Sequence, residues 1–133
     1  MVKQTQPHNQ MKSKVHFESI SMVDKTPKIE SICDREFIMV VYREKPFWAL
    51  FRCPCGCGRV FSLPLLRVHY PNWKVCESLS GRPTVYPSVR QNNGCYSHFW
   101  IEDGKVLWCR KMIDRGHQNR DKNAEAYCTK KVR

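Results

Sequence analysis

Three cysteines fall within five residues at Cys53-Pro54-Cys55-Gly56-Cys57, and Gly58 follows. Pro54 fixes its own φ and has no N–H to donate, and Gly56 and Gly58 allow backbone angles that a Cβ forbids. Such a stretch is neither helix nor strand, but it can turn several thiolates toward one point, as a metal knuckle requires. Soft thiolates in a tetrahedral cage suit zinc. The competing reading is a set of structural cysteines or a disulfide. A closed zinc site takes four ligands, and Cys95 is the best fourth, because it follows Gly94 and opens an apolar run. Cys33, Cys76, Cys109 and Cys128 lack such flanks and read as core or surface thiols. His98 lies three residues after Cys95, a common ligand spacing; as a ligand it would leave zinc open to water and catalytic.

Two further pairings could do covalent chemistry. Ser88 ends a strand-like run, and His98 opens the next one ten residues later. In an antiparallel sheet the two can sit side by side, with His98 as the base that a serine nucleophile needs. Ser97 cannot share His98's face, since adjacent strand residues point oppositely. Cys109 is the other candidate, a thiol opposite His98 that imidazole could activate. One decoy is rejected: His16-Phe17-Glu18 and Pro54-Cys55-Gly56-Cys57 imitate the halves of a nucleobase-deaminase signature. The second half is one residue short, and neither reads as a helix start. His69 and His117 stand in polar stretches and are expected to face solvent.

These groups must be positioned by short strands. Asp103-Gly104 between Tyr96–Glu102 and Lys105–Arg110 is a strong type I′ hairpin signature. It fixes the register: Glu102 with Lys105, Ile101 with Val106, Trp100 with Leu107, Phe99 with Trp108 and His98 with Cys109. The face carrying Phe99, Ile101, Val106 and Trp108 is apolar and expected in the core. The face carrying His98 and Cys109 is expected to border solvent or a site. Phe47–Arg52 and Arg59–Leu63 read as a hairpin with the knuckle at its tip. Glu36–Tyr42 reads as a buried strand, and Val15–Ile20 as a first edge strand. Ser21–Ile32 reads as a loop, and Pro64–Pro71 as ambiguous. Trp73–Cys76 and Thr84–Tyr86 are short strands, the latter ending at Pro87. The expected fold is all-β or β-rich α+β: a small single domain of antiparallel hairpins with a zinc knuckle. We expect a flexible arm over 1–14, the zinc-stapled domain over 15–111 and a polar tail over 112–133.

The chain has 133 residues and a formal charge of +11, from 23 Lys and Arg against 12 Asp and Glu. That balance favours an acidic partner, but the charge is spread along the chain without an interleaved aromatic stripe, which argues against nucleic acid. Residues 1–9 lack the apolar core of a signal peptide, and no run reaches membrane-span length. With eight cysteines, a reducing cytoplasm is expected, where clustered cysteines read as ligands or nucleophiles.

Phe51-x-Cys53-Pro54-Cys55-Gly56-Cys57-Gly58, Trp73, Pro87-Ser88-Val89 and Cys95-x-Ser97-His98-Phe99-Trp100-Ile101 together resemble a bacterial family. Its genes accompany those of ubiquitin-like proteins and of relatives of their activating and conjugating enzymes. The resemblance covers roughly residues 36 to 109. It implies a small serine peptidase that matures or deconjugates the ubiquitin-like protein at its C-terminal tail. It further implies a structural zinc held by Cys53, Cys55, Cys57 and Cys95, Ser88 as nucleophile and His98 as base. After Val89 this chain reads Arg90-Gln91-Asn92-Asn93 where relatives have Gly-Asn, so the origin of the oxyanion donors stays open. A non-catalytic zinc-knuckle module for protein or nucleic acid, and a metallohydrolase with His98 on zinc, are the alternatives.

Overall fold

The computed structural model describes residues 14–109 and 130–131. Among the described residues, nine strands form two sheets. Strands β1 (Ile20–Val23), β2 (Phe37–Tyr42), β3 (Lys45–Arg52) and β4 (Val60–Pro64) lie in sequence order in the first. Strands β5 (Lys74–Glu77), β6 (Pro83–Arg90), β7 (His98–Glu102), β8 (Lys105–Trp108) and β9 (Lys130–Lys131) form the second, in the order β8-β7-β6-β5-β9. All pairings are antiparallel except β1 with β2. The fold is nearly all-β, with one short 3-10 turn at Ile29–Ser31 among the described residues.

The sheets share one core. Phe37, Met39, Ala49, Phe51, Phe61 and Leu63 from the first meet Val75, Val85, Val89, Phe99 and Ile101 from the second. Phe17, fully buried, packs edge-on against Phe37 and Phe51. Strand β2 is buried on both faces. Its alternate residues Ile38 and Val40 join Ile32 and Leu50 in a second cluster beneath the 3-10 segment. Arg52 binds that segment down, donating to the carbonyls of Ile32 and Ile29, and reaches Gly58 at the knuckle.

Several expectations need correction. Val15–Ile20 is not a strand: Val15 makes one isolated bridge to Lys105, and Phe17 acts as a core plug. The first strand lies instead at Ile20–Val23, within the stretch read as a loop, and runs parallel to β2. Strand β6 does not end at Pro87. It continues to Arg90, because the register with β7 shifts between Val85 and Val89, so no ladder bond is required of the proline nitrogen. Trp108 is half exposed rather than core, because it closes an edge strand. Trp100, on the face expected to border solvent, is buried. Cys76 is disulfide-bonded and not a thiol. Cys128, His117 and most of the expected arm and tail lie outside the described residues.

The Asp-Gly hairpin has the expected register, Glu102 pairing with Lys105 and Phe99 with Trp108. Asp103 and Gly104 have φ of 53° and 77°, as the type I′ turn demands. Gly104 is also a junction: its carbonyl accepts from the N–H groups of His16 and Phe17, and its N–H donates to Pro83. A Cβ there would collide with the Phe17 carbonyl. Gly104→Ala is therefore expected to cost on the order of 2–3 kcal/mol, from left-handed strain plus the collision, read as a lower midpoint in chemical denaturation.

His16, beside that junction, buries Nε2 with no hydrogen-bond partner and sets its ring edge-on to Phe17. Burial, and then the Arg35 charge, hold its pKa below the usual 6.5, with Asp34 opposing. The sign follows. The unfolded chain takes up the proton first, so stability is lost as pH falls through about 6.5 toward the folded value. The thermal midpoint of the wild type, relative to that of His16→Gln, is expected to fall between pH 7.5 and 5.5.

Candidate active site and metal centre

The knuckle occupies the tip of the β3–β4 hairpin, as expected. Strand pairing ends at Arg52 with Val60, and the turn closes by Cys53 N–H to the Arg59 carbonyl and Gly56 N–H to the Cys53 carbonyl. Gly56 and Gly58 have φ of 91° and 89°, which side-chain-bearing residues rarely adopt. Cys95 reaches the same point from the loop before β7. The Sγ atoms of Cys53, Cys55, Cys57 and Cys95 lie within 4.8 Å of one another, and those of Cys53 and Cys95 are 3.8 Å apart. A tetrahedral site with metal–sulfur bonds of about 2.3 Å has sulfur–sulfur edges of about 3.8 Å, so the four thiols fit a metal of that kind.

The acid–base state of the cluster points the same way. Burial pushes the Cys53 thiol up to about 12. Donation from the Ser97 hydroxyl, then from its backbone, draws Cys95 down to about 6. Thiols packed so closely cannot all ionise without a cation among them, and a divalent ion removes that conflict. Ser97 was not anticipated in this role. Its hydroxyl stands 3.1 Å from Cys95 Sγ and 3.4 Å from Cys53 Sγ, on the opposite side of the strand from His98. Its spacing of two from Cys95 and of one from His98 was the available signal.

Ser88 and His98 meet. Val89 is buried, so Ser88 and Arg90 share the outer face of β6, and Arg90 pairs in register with His98. Ser88 Oγ lies 2.9 Å from His98 Nε2, and Arg90 Nη2 lies 3.3 Å from His98 Nδ1. The Ser88 carbonyl accepts from the Trp73 indole N–H at 3.1 Å, which fixes the backbone beneath the hydroxyl. Cys109 N–H donates to the His98 carbonyl, confirming the expected cross-strand pairing. The contact shown at His98 Nε2 is with Ser88. A cleft of about 770 Å³ opens alongside, lined by Arg90, Asn92, Tyr96, His98, Trp108 and Cys109 among others. It meets the pair on the His98 side. Among the described residues, the cluster that could hold a metal comprises the four cysteines and neither His98 nor His16 and Glu18, so both the catalytic-metal and the deaminase arrangements lack support.

The described residues thus set four cysteines that fit a metal on a β scaffold that also carries a serine beside a histidine. The sequence profile of a family described as bacterial ubiquitination-like system serine protease (BubE) matches residues 22–109, 88 of the 133 residues. The chain belongs to the BubE family. Neither the curated proteins nor the solved structures give a match. For a BubE member the family description supplies the reaction class, serine proteolysis, and the setting, a bacterial ubiquitination-like system. The described residues contain no helix long and apolar enough to cross a membrane.

Proposed function

We propose that this BubE protein is a serine peptidase of the bacterial cytoplasm that cuts at the C-terminal tail of a ubiquitin-like protein. Ser88 is its nucleophile and His98 its base. The observation that carries the reading is the 2.9 Å contact between Ser88 Oγ and His98 Nε2, in a chain whose family is one of serine proteases. Ser88 Oγ attacks the scissile carbonyl as His98 Nε2 takes its proton. The same nitrogen then returns the proton to the leaving amine, and water repeats the cycle on the acyl-enzyme. Oxyanion stabilisation falls to N–H donors of the loop after Arg90, where Asn92 lines the cleft. The N–H groups of Gln91 and Tyr96 are already committed, to Ser97 and Asn93.

Cys53, Cys55, Cys57 and Cys95 hold a structural zinc, which when bound supplies charge compensation and rigidity rather than reaction chemistry. The segment from Cys95 to His98 leads from the cage to the base, so the cage sets where β7 begins. The domain proper is 15–111. The +11 charge suits an acidic ubiquitin-like partner, and the activating and conjugating enzymes of the same system are further contacts.

The direct experiment is co-expression with ubiquitin-like proteins, read by intact mass. Loss of a C-terminal segment, or release from a conjugate, supports the reading. Purified protein that cleaves no ubiquitin-like substrate and takes no fluorophosphonate at Ser88 refutes it in favour of a binding module.

A further inference from the structure

Tyr96 holds a backbone conformation that its own side chain resists. Its φ is 52°, in the left-handed region where glycine is at ease and a bulky residue is strained. The cysteine cluster is the cause. Cys95 and Ser97 turn toward it together, Ser97 Oγ standing 3.1 Å from Cys95 Sγ, and the residue between them is thrown outward. Among the described residues, the other side chains at positive φ belong to Arg43, Glu44 and Asp103, polar residues in the turns of the β2–β3 and β7–β8 hairpins. Tyr96 stands apart from them: it is aromatic, and it lies two residues before His98. Packing does not offset the strain, since Tyr96 is 69% exposed.

What Tyr96 does border is the cleft, which it lines together with His98 and Trp108. Trp108 rests edge-on against Phe99, with ring centroids 5.3 Å apart, and is still 51% exposed. Two large aromatic residues left in water beside the proposed base form an apolar surface that a bound side chain would cover. The cleft also has a side. Its lining includes His98 and not Ser88. The base of a serine peptidase hands its proton to the departing amine, so the amine leaves on the histidine's side of the cut. We propose that Tyr96 and Trp108 form the subsite for the leaving-group side of the substrate and select an apolar side chain on the residue that carries the departing amine. This rests on the Ser88–His98 reading and adds to it a chemical class for the substrate residue that follows the cut.

The test uses the zinc-loaded full chain and p-nitrophenyl acetate, an ester reactive enough to acetylate Ser88 without any substrate sequence, with Ser88→Ala correcting for other nucleophiles. By microscopic reversibility, the leaving-group subsite also admits an amine that attacks the acetyl-enzyme. The amine nitrogen bonds to the acetyl carbonyl carbon, the ester bond to Ser88 Oγ breaks, and the amine's proton passes through His98 to that oxygen. Leucinamide and alaninamide compete as the amine, and the two acetyl amides are counted by mass. Wild type is expected to favour leucinamide about tenfold. Tyr96→Gly and Trp108→Ala are each expected to bring the ratio close to one, and Tyr96→Phe, which keeps the ring, to restore it. Tyr96→Gly is also expected to hold or raise the thermal midpoint, because glycine relieves the left-handed strain.

Equal transfer to the two amides in wild type, or transfer to neither, overturns the subsite. So does a leucinamide preference that either Tyr96→Gly or Trp108→Ala retains. A thermal midpoint that drops in Tyr96→Gly assigns the ring to the fold and overturns the subsite as well. Wild type that is acetylated no more than Ser88→Ala overturns the peptidase reading beneath the subsite and the subsite with it.

Discussion

Ser88→Ala is expected to abolish peptide-bond cleavage, by roughly four to six orders of magnitude in kcat, while leaving fold and metal content unchanged. The hydroxyl sits half-buried on the outer face of β6, away from the shared core. Its removal leaves no large cavity, and the Trp73 bond to the Ser88 carbonyl is untouched. His98→Ala is expected to cost nearly as much. The double variant should be little worse than either, because a nucleophile without its base and a base without its nucleophile fail at the same step. Cleavage is followed by intact mass of the ubiquitin-like substrate, and fold by circular dichroism. If Ser88→Ala retains activity and Cys109→Ala loses it, the thiol on the neighbouring strand is the nucleophile and the assignment fails.

The second large effect concerns the cage. Cys53→Ser and Cys95→Ser are each expected to lower metal content from about one zinc per chain to a small fraction and to leave the protein largely insoluble or molten. Structural zinc contributes about 10–16 kcal/mol in small zinc-binding modules, as much as the whole stability of an ordinary domain. Three of the cysteines lie on the β3–β4 hairpin of the first sheet and the fourth in the loop that leads into β7 of the second. Loss of the proposed ion is therefore expected to loosen the two layers from each other near Ser88 and His98. Elemental analysis and thermal unfolding of the variants measure this, and a metal-free wild type that melts as a folded protein would exclude a structural metal. Cys57→Ser belongs to the same series, since the structure brings Cys57 into the cluster despite its tight Gly-x-Gly surroundings.

The parts of the fold that were legible were those fixed locally. A two-residue Asp-Gly turn allows one register, so the pairing from Phe99 to Trp108 could be written residue by residue. The knuckle announced itself because Pro54, Gly56 and Gly58 exclude regular structure. Parallel pairing of β1 was not legible, because Ile20–Val23 is too short to show alternation and its partner comes after a connection with no pattern of its own. Phe17 reads as a strand residue by type, yet its place is set by backbone bonds to Gly104, some 87 residues away in sequence. The continuation of β6 through Pro87 depended on a bulge that local pattern does not encode. Arg90 was legible in principle: it stands two residues from Ser88, hence on the same face, and opposite His98 in the sheet.

The sequence separations at the site have a consequence for how the molecule is made. Ser88 and His98 are 10 residues apart, whereas Cys53 and Cys95 are 42 apart. Bringing the ends of the longer loop together costs on the order of 3 kcal/mol in chain entropy. As the polypeptide leaves the ribosome, Cys53, Cys55 and Cys57 emerge first and wait with an incomplete set of ligands. The fourth arrives only with the segment that also carries the histidine. On the proposed reading, closure of the cage and arrival of the histidine beside Ser88 both wait for the segment from Cys95 to His98, so a chain that ends before it is expected not to cut.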